Sequence, residues 1–308
     1  MTRRLLVSVV LSAALAIGVA HAANDPRTAL LVDAKALAAH LDDPELVLLH
    51  VGDADDYARS HIPGARLVTL DDISVSEHSA TGLMLQMPGD EALRERLQEL
   101  GISDDSHIVV YYAKDWISPS TRIVFTLQYA GLGQRTQLLD GGMGAWVRAG
   151  GALSSTAPPA RAGTLSRLRT QNLIVDAAQV RAQRNSPGVA IVDARAAVYY
   201  DGIETGGAHG LAHRTGHIQG ARSIPFTEIA DERLQLRSQA ELRTLFTRAG
   251  VKPGDTVVGY CHIGQQATAM LFAARLLGHP VKLYDDAFED WSRGTDNPVE
   301  TATASGRP

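Results

Sequence analysis

The sequence contains two copies of one ordered set of blocks, and this internal repeat constrains the fold more than any other feature. Each copy has an apolar run, a His-Ile turn ending in Gly-Ala-Arg, a second apolar run, and an Asp-containing turn followed by Trp. The order is the same in both halves, and only the loop lengths differ. The chain is therefore a tandem duplication. The paired blocks are residues 46–52 with 189–195, 60–66 with 216–222, 108–113 with 256–261, and 139–146 with 284–291.

Apolar runs alternate with amphipathic stretches in each half. The runs are short and end in polar turns, as buried parallel strands do. The amphipathic stretches end at glycine, the residue expected just past a helix C-terminus. We therefore predict an α/β fold of two tandem domains, each a mainly parallel sheet with helices on both faces. The predicted helices cover residues 91–100, 121–130, 240–249 and 267–277.

The length of 308 residues fits about two domains. Residues 151–170 are rich in Ala, Ser, Pro and Arg and have no apolar period, which predicts a linker. The first domain is then predicted at 28–150 and the second at 171–300. A net charge of −5 argues against nucleic acid as a partner, because such proteins normally have a basic surface.

The chain has a single cysteine, Cys261. One thiol excludes an intramolecular disulfide, a Cys-x-x-Cys redox pair and a multi-cysteine metal site. Cys261 is therefore either an inert buried side chain or a solitary nucleophile.

The first 22 residues have the pattern of a secretory signal peptide. Thr2-Arg3-Arg4 is basic, residues 5–20 are apolar and uncharged, and Ala20-His21-Ala22 fits a small-x-small cleavage site. We expect cleavage after Ala22 and a periplasmic or secreted mature protein without a membrane span, with an uncleaved anchor as the alternative. An unpaired thiol in an exported protein is unusual, since exported cysteines generally pair.

Cys261 lies between an apolar strand and an amphipathic helix. The first turn of a helix has unpaired backbone N–H groups and partial positive charge. A tight loop entering that helix can direct these groups at one point and form an anion cradle. Such a cradle predicts a lowered pKa for the Cys261 thiol. Gly264 provides the positive φ that a curled loop needs.

These features together resemble the rhodanese family of sulfurtransferases, over roughly residues 29–300. The resemblance rests on a strand, Cys-x-x-Gly-x-x and a helix, in a duplicated unit that carries Gly-His-Ile-x-Gly-Ala. It implies a first domain without catalytic activity and a catalytic second domain. Ala113 stands in the first half where Cys261 stands in the second, and His50 and Gly52 replace Asp193 and Arg195.

The resemblance also implies the reaction. The Cys261 thiolate takes the outer sulfur of a small donor such as thiosulfate, and a small thiophilic acceptor, cyanide or a thiol, then removes it from the persulfide. A protein acceptor, 3-mercaptopyruvate as donor, and a non-catalytic sulfur-carrier or binding module remain alternatives. No cofactor motif is visible. The active site is expected near the domain interface, with the first domain walling the cleft.

The predicted site has one catalytic residue, Cys261, and a set of substrate-binding residues. Asp193 is expected to support the active-site loop. Arg195 is the least secure of the substrate-binding residues, with an ion pair to a neighbouring carboxylate as its alternative role. Tyr199 stands about where the thiosulfate-using relatives have a substrate-binding arginine. The predicted substrate-binding residues are His262, Ile263, Gly264, Gln265, Gln266, Ala267 and Arg195.

Two other patterns suggest different chemistry. His209, His213 and His217 have the spacing of metal ligands on one helical face, but four glycines in the segment argue against a helix, and we predict no metal site. The Cys-x5-Arg phosphatases have the same strand–loop–helix architecture and need a guanidinium six residues after the cysteine. Ala267 occupies that position here.

Overall fold

The chain forms two α/β domains in a computed structural model that describes residues 25–79, 81–114, 117–206 and 214–301. The predicted signal peptide, residues 1–22, lies outside the described residues, as do His209 and His213. No helix of the described residues is both long enough and apolar enough to cross a membrane.

The first domain contains six helices and five strands among the described residues, with a 3-10 turn at Gly133–Arg135. In chain order they are α1 Pro26–Leu30, β1 Leu31–Val32, α2 Ala34–Ala38, β2 Leu46–Val51, α3 Ala54–Arg59, β3 Arg66–Val68, α4 Asp90–Glu99, β4 His107–Tyr112, α5 Ser118–Tyr129, β5 Thr136–Leu139 and α6 Gly142–Arg148.

The second domain follows the same plan and adds two short strands. A 3-10 turn covers Phe226–Glu228. In chain order the elements are β6 Ile174–Val175, α7 Ala177–Gln183, β7 Val189–Asp193, α8 Ala197–Tyr200, β8 His217–Ile218, β9 Arg222–Ser223, α9 Gln239–Arg248, β10 Thr256–Tyr260, α10 Gln266–Leu276, β11 Val281–Tyr284, α11 Ala287–Arg293 and β12 Val299–Glu300.

The two main sheets have matching topology. The first has strand order β1-β5-β4-β2-β3 and the second β6-β11-β10-β7-β9, and every neighbouring pair in both is parallel. Strands β8 and β12 form a separate antiparallel pair. The predicted fold class is confirmed, because parallel strands alternate with helices in each copy of the repeat.

The four helices predicted from the sequence are all present, with ends shifted by three residues at most. Glycines with φ between 80° and 88° follow each of them, which is the left-handed conformation expected after a helix C-terminus. They are Gly101, Gly131, Gly250 and Gly278. At its other end α9 begins with a capping box, in which Ser238 and Glu241 satisfy each other's backbone N–H groups.

Helices α5 and α10 hold the two domains together. The Thr121 and Thr268 hydroxyls lie 3.1 Å apart, and Gln265 Nε2 donates to Ser118 Oγ at 3.0 Å. Each pair is separated by 147 residues, so equivalent positions face each other and the helices run side by side in the same direction. Nearly all residues of both helices are buried, and one apolar cluster spans both domains.

The 151–170 stretch contains no helix or strand. It runs along the first domain, where Ser154 bridges to His61 and Ser166 donates to Asp104. The extended path carries the chain from α6 to the first strand of the second sheet.

Candidate active site

Cys261 directly follows β10 and is fully buried. The loop after it turns back towards the sulfur, and the backbone N–H groups of four residues before and at the start of α10 favour the thiolate form of Cys261. The donors belong to Ile263, Gly264, Gln266 and Ala267. Such convergence of backbone donors on one atom is an anion-binding arrangement. The predicted cradle is therefore present around the only thiol in the chain.

Burial raises the pKa of the Cys261 thiol, and the four N–H groups oppose this shift without reversing it. The prediction of a lowered pKa is therefore wrong. It counted the backbone donors and omitted the desolvation of a thiolate that lies completely inside the protein. The same four groups remain available to any negative charge that forms on a sulfur at this position.

Gly264 lies within this loop with φ of 80°. A Cβ added there would lie 3.1 Å from Arg122 Nη1 and 3.1 Å from the Asp285 carbonyl oxygen. The chain needs glycine both for the left-handed backbone and for the close approach of these groups.

The start of α11 holds the loop from the other side. Phe288 N donates to the Cys261 carbonyl at 2.9 Å, and Glu289 N donates to the His262 carbonyl at 3.2 Å. Ala287, the first residue of this helix, has φ of 59°, a strained conformation for a residue with a side chain. Two orphan N–H groups of a helix N-terminus are thus used to fix the carbonyls beside the thiol.

Arg122 of α5 reaches from the first domain into this loop and is fully buried. Its Nη1 donates to Asp285 Oδ1 at 2.7 Å and to the Gly264 carbonyl at 3.2 Å, and Nη2 donates to the Leu85 carbonyl. Arg122 could not be identified from the sequence, because its counterpart at the 147-residue spacing, Ala269, gives no signal of an ion pair.

Asp285 connects the same network to a second segment of the first domain. Its Oδ2 accepts from Met87 N at 2.7 Å, and its carbonyl accepts from Gln86 Nε2 at 3.2 Å. Arg293 also donates to the Thr81 carbonyl at 2.6 Å. First-domain residues therefore line the active-site loop, as the resemblance implies.

Gln265 is buried and turns away from the sulfur. Its side chain donates to Ser118 and so ties the loop to the first domain, and its substrate-binding role stays a prediction. Gln266 is half-buried at the start of α10. Ala267 contributes its backbone N–H to the cradle.

Asp193 and Arg195 form a buried ion pair at the end of β7. Arg195 donates through its backbone N, Nε and Nη2 to the Asp193 carboxylate, with a shortest distance of 2.6 Å, and through Nη2 to the Gly216 carbonyl. The guanidinium carbon lies 4.0 Å from the centroid of the Phe288 ring. Since Phe288 holds the Cys261 carbonyl, the pair braces the loop. The alternative role of Arg195 as an ion-pair partner is present, and its substrate-binding role stays a prediction.

His262 is half-buried beside the thiol. Its ring lies edge-on to Tyr199, with centroids 4.7 Å apart, and a Cβ at Gly206 would overlap it. The α8 region thus closes over His262 from one side of the loop.

In the first domain, Ala113 and His50 occupy the positions that correspond to Cys261 and Asp193. Ala113 follows β4, and a Cβ at Gly52 would lie 2.8 Å from His50 Nε2 and 3.0 Å from the Ala113 methyl. His50 is buried with its Nδ1 2.8 Å from Tyr111 Oη. Burial lowers the pKa of His50 to about 4, and His61 nearby contributes in the same direction. A neutral imidazole occupies the space where the second domain has an ion pair.

His217 is buried in the repeated turn. It stacks on Tyr200 at 3.7 Å between centroids, and Nδ1 lies 2.7 Å from the Tyr200 carbonyl, just as His61 stacks on Tyr57 in the first domain. The described residues contain no group of three potential ligands close enough to hold a metal ion.

Solved structures share this fold. The structure of YnjE superposes with a TM-score of 0.74 at 24% identity, over 84% of this chain and 63% of that one. The wild-type structure of EanB superposes with a TM-score of 0.79 at 23% identity, over 92% of this chain and 71% of that one. This chain therefore spans less than two thirds of YnjE.

Curated relatives match over nearly their whole length. A probable 3-mercaptopyruvate sulfurtransferase of Pseudomonas aeruginosa is 31% identical, over 89% of this chain and 99% of the relative. The 3-mercaptopyruvate sulfurtransferase of Escherichia coli K12 is 30% identical, over 89% and 98%. A thiosulfate sulfurtransferase of Azotobacter vinelandii is 29% identical, over 88% and 97%.

The family model described as "Rhodanese-like domain" matches twice, at residues 33–149 and 176–294. Each match covers four of the five strands of one main sheet, and together they account for most of the chain. The chain belongs to the rhodanese family, with two rhodanese-like domains in tandem.

Proposed function

We propose that this protein is a sulfurtransferase that moves a sulfane sulfur from a donor such as thiosulfate to a thiophilic acceptor through a persulfide on Cys261. The observation that carries the proposal is the convergence of four backbone N–H groups on the only thiol. The names of the curated relatives support sulfur transfer as the reaction class.

The first step is attack of the Cys261 thiolate on the outer sulfur of thiosulfate. A Cys261 S–S bond forms, the donor's S–S bond breaks, and its electron pair leaves with sulfite. The enzyme keeps a persulfide whose terminal sulfur carries the negative charge. The backbone N–H groups of the loop stabilise that charge without any reorganisation, as an oxyanion hole does.

The second step reverses the roles. A cyanide or thiol acceptor attacks the terminal sulfur, the persulfide S–S bond breaks, and its electron pair returns to Cys261 as the thiolate. The acceptor leaves as thiocyanate or as a new persulfide. This is covalent catalysis in two displacements, which predicts ping-pong kinetics.

The residues around Cys261 do not distinguish thiosulfate from 3-mercaptopyruvate as the sulfur donor. Cys-His-Ile-Gly-Gln-Gln contains no arginine or lysine, and Arg122 and Arg195 are both paired with carboxylates. Thiosulfate and 3-mercaptopyruvate should therefore be compared directly in steady-state assays with cyanide as acceptor. Parallel double-reciprocal lines with either donor support the proposal, and no turnover with both donors and with an organic persulfide contradicts it. A small protein thiol can be added as acceptor in the same assay.

We also propose that the mature protein is exported, on the basis of the residue pattern of positions 1–22. Expression of the full chain in a Gram-negative host and N-terminal sequencing of the periplasmic fraction test this. A mature N-terminus at Ala23 is expected. Retention of Met1 in a cytoplasmic protein would contradict export.

A further inference from the structure

A second cleft lies at the edge of the sheets opposite to Cys261. It consists of two adjoining cavities of about 600 and 320 Å³ that share Gly133, Gln134, Arg275 and His279. His107 at the first residue of β4 lines it, whereas Cys261 follows the last residue of the equivalent strand β10. Both domains contribute to its walls, and its volume is in the range of roughly 300–1,000 Å³ typical of small-molecule sites.

The charge of this cleft is opposite to that of the whole chain. Arg275, Arg135, His107 and His279 line the larger cavity, and none of the described lining residues of either cavity is Asp or Glu. Arg135 is exposed and is attracted by Asp104 outside the cleft. A chain with a net charge of −5 therefore presents a carboxylate-free basic concavity at its domain interface.

Arg275 is the central cation of the cleft. It lies in the last turn of α10 and lines both cavities, and its side chain forms no hydrogen bond or ion pair with any described residue. Burial lowers the pKa of Arg275, which reflects the loss of water without a compensating carboxylate. A half-buried guanidinium generally has an anionic partner, because its desolvation is otherwise uncompensated.

Gln128 provides a second unused donor in the same place. It is 4% exposed, lines the smaller cavity, and its Nε2 has no hydrogen-bond partner among the described residues. Gln128 and Arg275 have the same 147-residue separation as Thr121 and Thr268, so the repeat places them at equivalent positions of α5 and α10. A ligand between them would contact both domains.

The carbonyl groups at the ends of α5 and α10 accept hydrogen bonds from backbone N–H groups, so they do not pair with the Arg275 and Gln128 side chains. The Gln128 carbonyl accepts from Gly131 N and the Arg275 carbonyl accepts from Gly278 N, at 3.1 and 2.9 Å. His279 N caps the Ala274 carbonyl, and His279 Nδ1 donates to the Asp255 carbonyl. These backbone acceptors are thus satisfied, while the side-chain donors of Arg275 and Gln128 Nε2 have no partner among the residues that the structure describes.

We propose that this cleft binds a small oxyanion, a phosphate or a carboxylate, between the Arg275 guanidinium and the Gln128 amide. Arg275 supplies a planar pair of N–H donors suited to two oxygens of one anion. Gln128 supplies a neutral donor from the other domain. The site is separate from Cys261, so its ligand is not the sulfur donor.

Calorimetric titration of the full-length protein with inorganic phosphate and, separately, with citrate tests the proposal and distinguishes the two head groups. We expect one-site saturable binding of at least one probe. Arg275→Gln should weaken it about tenfold or more, since a charge-assisted hydrogen bond contributes roughly 1.5–3 kcal/mol. Arg243→Gln is the matched control, because it removes the same charge from an exposed position of α9.

Several results would overturn the proposal. They are no saturable binding of either probe, equal affinity in the wild-type and Arg275→Gln proteins, or equal loss in Arg243→Gln. Competitive inhibition of thiosulfate turnover at the probe's own Kd would place the anion at Cys261 instead. If Arg275→Gln fails to fold, Gln128→Met tests the same site from the other domain and should weaken binding severalfold.

Discussion

Arg122 Nη1 and Asp285 Oδ1 lie 2.7 Å apart in a buried ion pair that joins the two domains at the active-site loop. Because Nη1 also donates to the Gly264 carbonyl, a first-domain side chain fixes the backbone that surrounds the thiol. This relationship explains how the domain without a nucleophile contributes to the site of the other domain.

Arg122→Met should therefore destabilise the protein by about 3–5 kcal/mol, because it leaves the buried Asp285 carboxylate without a counter-charge. Urea unfolding at pH 7 measures the change. Arg248→Ala is the control, since the Arg248–Glu228 pair is exposed and should contribute at most about 1 kcal/mol. Equal losses of unfolding free energy in the two variants would show that the interdomain pair contributes no more to stability than an exposed pair.

Gly264→Ala should lower the rate of persulfide formation by more than tenfold. The substitution combines left-handed backbone strain, about 1–2 kcal/mol, with contacts of 3.1 Å to Arg122 and Asp285 that displace the cradle. Gly254 is the control, because it has a similar φ of 85° but nothing within 4 Å of an added Cβ. Gly254→Ala therefore introduces the backbone strain without the close contacts. Similar activity in both variants would contradict the cradle's role.

The fold could be predicted from the sequence because its signals are local or repeated. The apolar runs, the glycines after helices and the duplication of the His-Ile turn specify two parallel sheets. Comparison of the two halves also distinguishes Cys261, because Ala113 occupies the equivalent position in the first half.

The side chains that hold the active-site loop in place could not be predicted from the sequence. Arg122 and Asp285 are 163 residues apart and have no repeated counterpart as a pair. The contact between Gln265 and Ser118 crosses the two domains and is likewise not indicated by the loop motif. The direction of the Cys261 pKa shift depends on burial, which a loop motif does not reveal.

The raised pKa of Cys261 predicts alkaline-dependent reactivity. A thiol whose pKa lies above the ordinary value of about 8.5 is mostly protonated at neutral pH. The rate of persulfide formation should therefore rise about tenfold per pH unit between pH 7 and 8.5. Stopped-flow measurement of sulfite release gives this profile. A rate that is flat above pH 7 would instead indicate a lowered pKa.

The buried His50 predicts a pH dependence of stability. Its pKa is about 4 in the folded protein against 6.5 unfolded, so the unfolded state binds more protons in this window. The unfolding free energy is therefore highest above pH 6.5 and falls by about 3 kcal/mol as pH falls from 6.5 to 4. His50→Phe should flatten the unfolding free energy between pH 4 and 6.5. His40→Gln, at an exposed position, should leave the slope unchanged. Equal slopes in the wild type and His50→Phe would exclude His50 as the cause.

Intact mass spectrometry shows whether the single cysteine carries the transferred sulfur. After incubation with thiosulfate or 3-mercaptopyruvate, the wild-type protein should gain the mass of one sulfur atom and lose it on addition of cyanide or dithiothreitol. Cys261→Ala should gain nothing. A wild-type protein whose mass is unchanged by both donors, or a Cys261→Ala protein that still gains a cyanide-labile sulfur, would show that sulfur is not transferred through Cys261.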